Sequence, residues 1–205
     1  IAAAGALNGL SQTVLKLTAP GVPDIYQGTE YWDLSLVDPD NRRPVDYVAR
    51  FEALKAAARV RDPAPLLRDW HDGRIKQFVI ARILQLRAAS PQLFAAGDYS
   101  GIEPEGGESA RIVAFRRNLP DGSGMLVVVP RLCSALVSNG GSMTVSPAAF
   151  EEMRLPLNGL PESAVVTDAF STRKVPIERE GFIKVDALLG TLPVALLSWK
   201  APGQP

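Results

Sequence analysis

Residues 15–47 read LKLTAPGVPDIYQGTEYWDLSLVDPDNRRPVDY, and the fold prediction starts from this stretch. Val22–Tyr26 is a short apolar run that ends at Gly28, which is typical of a buried strand. Residues 27–46 are polar, rich in Asp, Asn, Arg and Pro, and too irregular for a helix or a strand. They therefore predict a long loop, and ordered loops of this length usually have a functional use.

The segments on either side of this stretch have helical patterns. Upstream, apolar residues recur at spacings of three and four along one helix face, at Leu7, Leu10, Val14 and Leu17. Ala19-Pro20-Gly21 ends that helix. Downstream, the same spacing predicts one helix over Val48–Ala58 and another over Ile75–Leu86, with Asp72 as the N-cap of the second.

From about Gly97 the pattern changes to short apolar runs separated by Gly, Pro, Asn and Asp. Pro120–Gly124 is a turn signal between the first two runs and predicts a hairpin. Regular short strands with such turns indicate an antiparallel sandwich or barrel. The runs are 111–117, 125–130, 153–157, 164–168, 182–185 and 193–199.

The segment Pro20–Glu30 resembles the eighth-strand signature of the α-amylase family of glycoside hydrolases, roughly G-x-P-x-x-Y-x-G-x-E. Its continuation, Trp32-Asp33-Leu34 and then Asp38–Asp46, resembles the maltooligosyltrehalose synthase branch of that family. Asp72–Lys76 and the stretch Phe94-x-x-Gly97-Asp98-Tyr99 fit the same branch. The resemblance implies an α+β chain. Residues 1–93 would be the C-terminal remnant of a (β/α)₈ catalytic barrel, comprising its last strand and flanking helices. Residues 94–205 would be an antiparallel β-sandwich C-terminal domain.

The activity that this resemblance implies is an intramolecular transglucosylation in trehalose biosynthesis. It converts the reducing-end α-1,4 link of a maltooligosaccharide into an α,α-1,1 trehalosyl link. Retaining glycosidases need two carboxyl groups about 5–5.5 Å apart, and by the family pattern these precede the eighth strand. Because the sequence starts at Ile1 rather than Met, we expect a piece of a longer chain. Its catalytic residues would lie upstream of Ile1, so the fragment alone would be inactive.

The resemblance also indicates which side chains bind the sugar. Trp32 stacks on a sugar face in this interpretation, and the charged residues of the loop bond hydroxyl groups. For each of them a purely structural role stays open, such as a loop ion pair, a core position or a solvated lysine. The candidate substrate-binding residues are Tyr26, Glu30, Trp32, Asp40, Arg42, Arg43 and Lys76.

Composition excludes several other functions. Lys plus Arg and Asp plus Glu both number 22, so the formal charge is zero, which argues against nucleic-acid binding. One His and one Cys are too few for a His/Cys zinc site or a disulfide framework. We expect no metal, no cofactor and no membrane contact. The unpaired Cys133 and the lack of a targeting segment favour a cytoplasmic protein.

Two alternative functions and one further partner remain open at this stage. The eighth-strand signature alone also permits another α-amylase-family enzyme, such as a glucosidase or a maltose-to-trehalose mutase. The β-rich half would be an α-glucan-binding module if Tyr99 and Trp199 were exposed. The partner implied for the whole enzyme is a maltooligosaccharide. A truncated barrel also leaves an uncovered edge, through which we expect the fragment to self-associate.

Overall fold

The computed structural model describes residues 2–137, 141–161, 164–178 and 181–201. Helices dominate the first half of the chain and strands the second. The helices are α1 Ala2–Thr18, α2 Tyr47–Ala57, α3 Ala64–Arg68, α4 Arg74–Ala89, α5 Pro91–Ala96 and α6 Val185–Leu189. The strands are β1 Ser100–Ile102, β2 Ile112–Asn118, β3 Gly124–Pro130, β4 Arg154–Pro156, β5 Thr167–Asp168, β6 Phe182–Lys184 and β7 Ala195–Trp199. Within the described residues, no helix is both long and apolar enough to cross a bilayer.

Helix α1 forms where the apolar spacing predicts it. Its stripe of Leu7, Leu10, Val14 and Leu17 is buried almost completely. The stripe faces α4, whose Ile75, Phe78, Val79 and Ile83 are also fully buried, and α1 also contacts β3. Both helices follow the 3.6-residue period because one face of each covers this shared core.

Helix α2 also forms as predicted, but its apolar face stays uncovered. Val48 and Phe51 are exposed, the latter to 58%. Asp46 caps the helix by accepting a hydrogen bond from the Ala49 N–H at 2.9 Å. The cap stabilises the start of the helix, while the buried Ala57 and the contacts of α2 with α4 hold it against the rest of the fold.

The strands of the second half are antiparallel throughout. Within the described residues, one sheet has the order β1-β2-β3-β7-β5 and a smaller one pairs β4 with β6. The predicted hairpin joins β2 to β3, and its turn is closed by the Leu119 N–H, which donates to the Ser123 carbonyl at 2.9 Å. Strand β3 lies in the centre and every one of its residues is buried, as its unbroken apolar run predicts. The antiparallel sheet is confirmed, whereas the sandwich arrangement stays a prediction.

The strand predicted at Val22–Tyr26 is wrong for this chain. The segment has no ladder hydrogen bonds, and Val22 and Tyr26 are 97% and 56% exposed. A barrel strand needs a hydrogen-bonded neighbour on each edge, and the described residues provide none here. Pro23 also removes one backbone donor from this segment. The barrel assignment of residues 1–93 therefore stays a proposal.

The helical and β-rich halves share their interior. The buried apolar side chains that the structure describes form one continuous cluster from Ala3 to Trp199. Arg117 of β2 is 2% exposed and donates to the carbonyls of Phe94 and Gly97 at 3.0 and 2.8 Å. These contacts tie the end of α5 to the sheet. The predicted division between residues 93 and 94 is untested by this packing, because two domains can share an apolar interface.

Candidate functional site

The loop of residues 27–46 folds around an open polar cleft of about 260 Å³. The cleft is bounded by the two arms of the loop and by the guanidinium of Arg50 from α2. Its polar groups include two carboxylates, an amide and two guanidinium groups, contributed by Asp33, Asp40, Asn41, Arg43 and Arg50. The Oδ1 atom of Asn41 is buried and has no hydrogen-bond partner among the described residues. Donors and acceptors of this kind, beside an aromatic ring, suit the hydroxyl groups of a sugar.

A tight turn opens the loop. The N–H and hydroxyl of Thr29 both donate to the Tyr26 carbonyl, at 3.0 and 2.6 Å. Gly28 has a φ of 90°, and a Cβ on it would lie 3.0 Å from the Val45 side chain. A glycine is therefore required both by the backbone conformation and by the close approach of the returning arm.

The tip of the loop is a short 3-10 turn, Asp40–Arg42, that charged side chains hold. Asp40 accepts the Leu36 N–H at 2.7 Å and pairs with Arg43. Arg42 does not face the cleft carboxylates. Its guanidinium binds Asp38 through two contacts, at 3.3 and 3.0 Å, and both side chains are exposed.

The two carboxylates of the cleft are held in the ionised form. The Leu36 N–H and then the Arg43 guanidinium lower the pKa of Asp40 below its ordinary value. The hydroxyl and the N–H of Ser35 lower the pKa of Asp33 in the same way. Both groups therefore accept hydrogen bonds over the whole neutral and mildly acidic range.

Arg50 joins the two ends of the loop, and sequence reasoning missed it. Its guanidinium donates to the carbonyls of Gly28 and Asp46 at 2.9 and 3.1 Å. Its Nε atom binds Glu30 at 3.3 Å, and its plane lies 4.7 Å from the Tyr31 ring centroid. A basic residue four positions after a helix-capping aspartate was the only signal in the sequence, and many surface arginines share it.

Trp32 is anchored from below by the 3-10 turn Trp70–Asp72 that precedes α4. Its Nε1–H donates to the Trp70 carbonyl, and the two rings meet edge to face with centroids 6.3 Å apart. His71, the single histidine of the sequence, stacks on Trp70 with the ring centroids 3.8 Å apart. Trp32 is half-buried and still borders the cleft.

The predicted N-cap Asp72 is wrong in position. Gly73 occupies the N-cap of α4 with a φ of 79°, and Asp72 instead accepts the N–H and the Nε–H of Arg74 at 2.9 and 2.7 Å. Glycine suits this N-cap for two separate reasons, the left-handed conformation and the close approach to Tyr31.

Lys76 supports the loop from its rear side. Its ammonium donates to the Tyr31 carbonyl at 3.1 Å and lies 5.8 Å from the Trp32 ring centroid. Burial lowers its pKa, while the charges of Asp33 and Glu30 oppose the shift. It does not line the cleft; it borders a separate small cavity of about 50 Å³ beside Lys16.

The structure thus divides the candidate residues into two groups. Trp32, Asp40 and Arg43 come together at the cleft. The others lie outside it: Tyr26 is exposed at the entry turn, Glu30 pairs with Arg50, Arg42 pairs with Asp38, and Lys76 lies behind Tyr31. Their assignment to sugar contacts stays a prediction.

The single histidine and the single cysteine of the sequence do not line the cleft. Within the described residues, no group of three or more His, Cys, Asp or Glu side chains is placed to hold a metal ion. Cys133 is buried, and burial raises the pKa of its thiol to about 11.

Comparisons with known proteins place the chain in one group of enzymes. No protein-family model matches the sequence. It is 43% identical over 140 residues to a protein of Mycobacterium tuberculosis described as "Putative maltooligosyl trehalose synthase", a match covering 68% of this chain and 16% of that protein. The same match is found in a second strain of that species.

Solved structures agree with the sequence match. Maltooligosyltrehalose synthase from Arthrobacter ramosus aligns with a TM-score of 0.74 and 34% identity, covering 98% of this chain and 23% of that structure. A second maltooligosyl trehalose synthase aligns with a TM-score of 0.64 and 27% identity, over 97% of this chain and 22% of its own. The chain spans less than a quarter of the length of these relatives. It belongs to the maltooligosyltrehalose synthase family, as a homologue of one part of those enzymes.

Proposed function

We propose that the chain is the C-terminal part of an enzyme that converts the reducing end of a maltooligosaccharide into a trehalosyl unit. The observation that carries the proposal is the cleft of loop 27–46. The sequence segment that most specifically resembles this family encloses a space lined by ionised carboxylates, guanidinium groups and Trp32. Residues 1–93 would complete the catalytic barrel and residues 94–205 would form a β-sandwich domain against it.

The proposed reaction has two steps on carboxyl groups supplied by the rest of the enzyme. In the first, a carboxylate bonds to C1 of the penultimate sugar while the α-1,4 bond breaks, and a carboxylic acid protonates the departing O4 of the terminal glucose. In the second, the C1 hydroxyl of that glucose attacks the same carbon. Its proton passes to the carboxylate that served as acid, and the bond to the nucleophile breaks.

Water competes with glucose in the second step. Attack by water would release free glucose and a maltooligosaccharide shortened by one unit. An enzyme that favours the trehalosyl product has to hold the freed glucose and keep water away. We assign this task to loop 27–46, with Trp32 stacking on the sugar and Asp40 and Arg43 binding its hydroxyl groups.

The alternative of an α-glucan-binding module in the β-rich half receives little support. Trp199 is only 5% exposed, and its Nε1–H donates to the Gly122 carbonyl at 3.0 Å. Tyr99 is exposed but packs on Phe115 with ring centroids 4.9 Å apart. A flat sugar platform needs exposed aromatic faces, and Trp199 offers none.

The setting of the enzyme is also part of the proposal. We place it in the cytoplasm, with a maltooligosaccharide as its partner. The exposed apolar residues of α2 are proposed to be covered by the rest of the barrel in the whole enzyme and by a second copy when the chain is alone.

Product analysis tests the function directly. The full-length enzyme that contains this chain should convert maltopentaose to maltotriosyltrehalose, while the purified 205-residue chain should leave maltopentaose unchanged. Glucose or free trehalose as the main product of the full-length enzyme would instead indicate a glucosidase or a maltose mutase. Any conversion by the isolated chain would refute the assignment of the catalytic carboxylates to the rest of the enzyme.

A further inference from the structure

Side chains of the next helix close loop 27–46 at its neck, and Arg50 makes most of these contacts. The guanidinium of Arg50 donates from Nη2 to the Gly28 carbonyl at 2.9 Å and from Nη1 to the Asp46 carbonyl at 3.1 Å. Gly28 is the second residue of the loop and Asp46 is its last. One planar group therefore bridges the two points where the loop leaves and rejoins the fold.

The remaining contacts of Arg50 leave its guanidinium little freedom. Nε binds Glu30 at 3.3 Å, and the Tyr31 ring covers one face with its centroid 4.7 Å from the guanidinium carbon. The Arg50 side chain is 20% exposed. Its backbone carbonyl accepts from the Gln77 amide at 2.9 Å, which ties this turn of α2 to α4.

A second layer of contacts lies at the same neck. The Tyr47 hydroxyl binds the side chain of Gln27, and Val45 reaches within contact distance of Gly28. Gln27, Gly28 and Val45 line the cleft as well. Arg50 differs from them because its one guanidinium binds both arms of the loop and also lines the cleft that contains Asp40 and Arg43.

We propose that Arg50 is a positioning residue that clasps loop 27–46 and thereby sets how the glycosyl intermediate divides between retained glucose and water. This inference rests on the proposed function. With the clasp intact, Trp32, Asp40 and Arg43 keep their places around the sugar. Without it, the two arms separate, water enters, and the same intermediate yields glucose and a shortened maltooligosaccharide in place of the trehalosyl product.

The test uses the full-length enzyme that contains this chain and three variants, Arg50→Gln, Arg50→Lys and Arg59→Gln. Arg59→Gln is the matched control, because Arg59 is exposed just beyond the end of α2 and its loss changes the charge by the same amount. Arg50→Lys keeps the charge, but one ammonium cannot bind both carbonyls and Glu30 in the geometry of the fork. Each variant is measured for amide hydrogen exchange in residues 29–45 and for the ratio of trehalosyl product to glucose from maltopentaose.

Arg50→Gln and Arg50→Lys should both exchange the loop amides about tenfold faster and lower the product ratio about tenfold, while Arg59→Gln should match the wild type. A wild-type ratio in both Arg50 variants, or in Arg50→Lys alone, would overturn the inference. If Arg50→Gln gives too little folded protein, Arg50→Lys decides the result by itself. A wild-type enzyme that makes no trehalosyl product would refute the proposed function, and the exchange measurement would still show whether Arg50 clasps the loop.

Discussion

Gly73 and Tyr31 approach so closely that a Cβ atom on Gly73 would lie 2.8 Å from the Cβ of Tyr31. Two non-bonded carbon atoms in a protein do not approach each other this closely, so a side chain at position 73 would clash with Tyr31. The contact joins the two segments that most resemble the maltooligosyltrehalose synthases, the loop of residues 27–46 and the Asp72–Lys76 stretch at the start of α4. The first arm of the loop therefore packs directly on the glycine at the N-cap of α4.

Replacing Gly73 by Ala should therefore displace the loop from its position on α4 and destabilise the fold. The new methyl group would clash with Tyr31, and the φ of 79° is strained for any residue with a Cβ atom. We expect a loss of about 1–3 kcal/mol in the free energy of unfolding, measured by urea denaturation. Gly5→Ala is the control, because Gly5 is an exposed helical residue with open space around its Cβ position. That change should stabilise the chain by about 0.5–1 kcal/mol, and equal effects of the two substitutions would contradict the clash.

Arg117 should be essential for joining the helical half to the sheet. Its guanidinium donates to the carbonyls of Phe94, Gly97 and Asp98, so Arg117→Ala leaves three backbone acceptors without their donor, one of them buried and two partly buried. We expect the free energy of unfolding to fall by at least about 3 kcal/mol. The neighbouring Arg116→Ala removes one exposed contact to a loop carbonyl and should cost no more than about 1.5 kcal/mol. Similar losses for the two variants in urea titrations would argue against the role of Arg117.

The order of the loop tip should depend on pH through Asp40. Its pKa is lowered below the ordinary value of 3.8 by the Leu36 N–H and the Arg43 guanidinium, so the ionised form is the one that binds them. A carboxyl group whose pKa is lower in the folded state than in the unfolded state stabilises the fold at pH values above its unfolded-state pKa. This stabilisation is lost as the pH falls through the lower, folded-state pKa. Exchange protection of the Leu36 amide should therefore persist at pH 5 and above, begin to fall near pH 3.8, and be lost as the pH drops through the lower pKa of the folded state.

Asp40→Asn separates this effect from general acid unfolding. The amide oxygen introduced at position 40 accepts the Leu36 N–H more weakly and carries no charge to pair with Arg43, so Leu36 protection should be lower at neutral pH and show no further loss from this site on acidification. Protection that is the same in both proteins at every pH would show that Asp40 does not hold the tip. Because Asp40 lies at the surface, the change in global stability should be small, and residue-resolved exchange is the suitable measurement.

The sequence predicted the regular elements better than the site, and particular residues show why. The stripes of α1 and α4 and the turn 120–124 depend on neighbours within a few positions, and all three are confirmed. The strand at Val22–Tyr26 is wrong because a barrel strand exists only with partners on both edges. Arg50 was missed for a related reason, since its direction is set by carbonyls at Gly28 and Asp46 that only the folded loop brings together.

The exposed face of α2 should make the isolated chain self-associate. Tyr47, Val48, Phe51 and Leu54 lie exposed at helical spacing, and an uncovered apolar stripe of this kind favours association. Phe51→Glu removes the aromatic ring in the middle of that stripe and places a charge there. It should weaken association at least about tenfold in sedimentation equilibrium, because taking a carboxylate out of water between two protein surfaces is costly. Ala56→Glu introduces the same charge at an exposed position of α2 away from the stripe, so it should leave the association constant unchanged. A wild-type chain that stays monomeric at the highest concentration reached would contradict the prediction. If Ala56→Glu disrupted the assembly as strongly as Phe51→Glu, the contact would depend on net charge, and the apolar stripe would not be the interface.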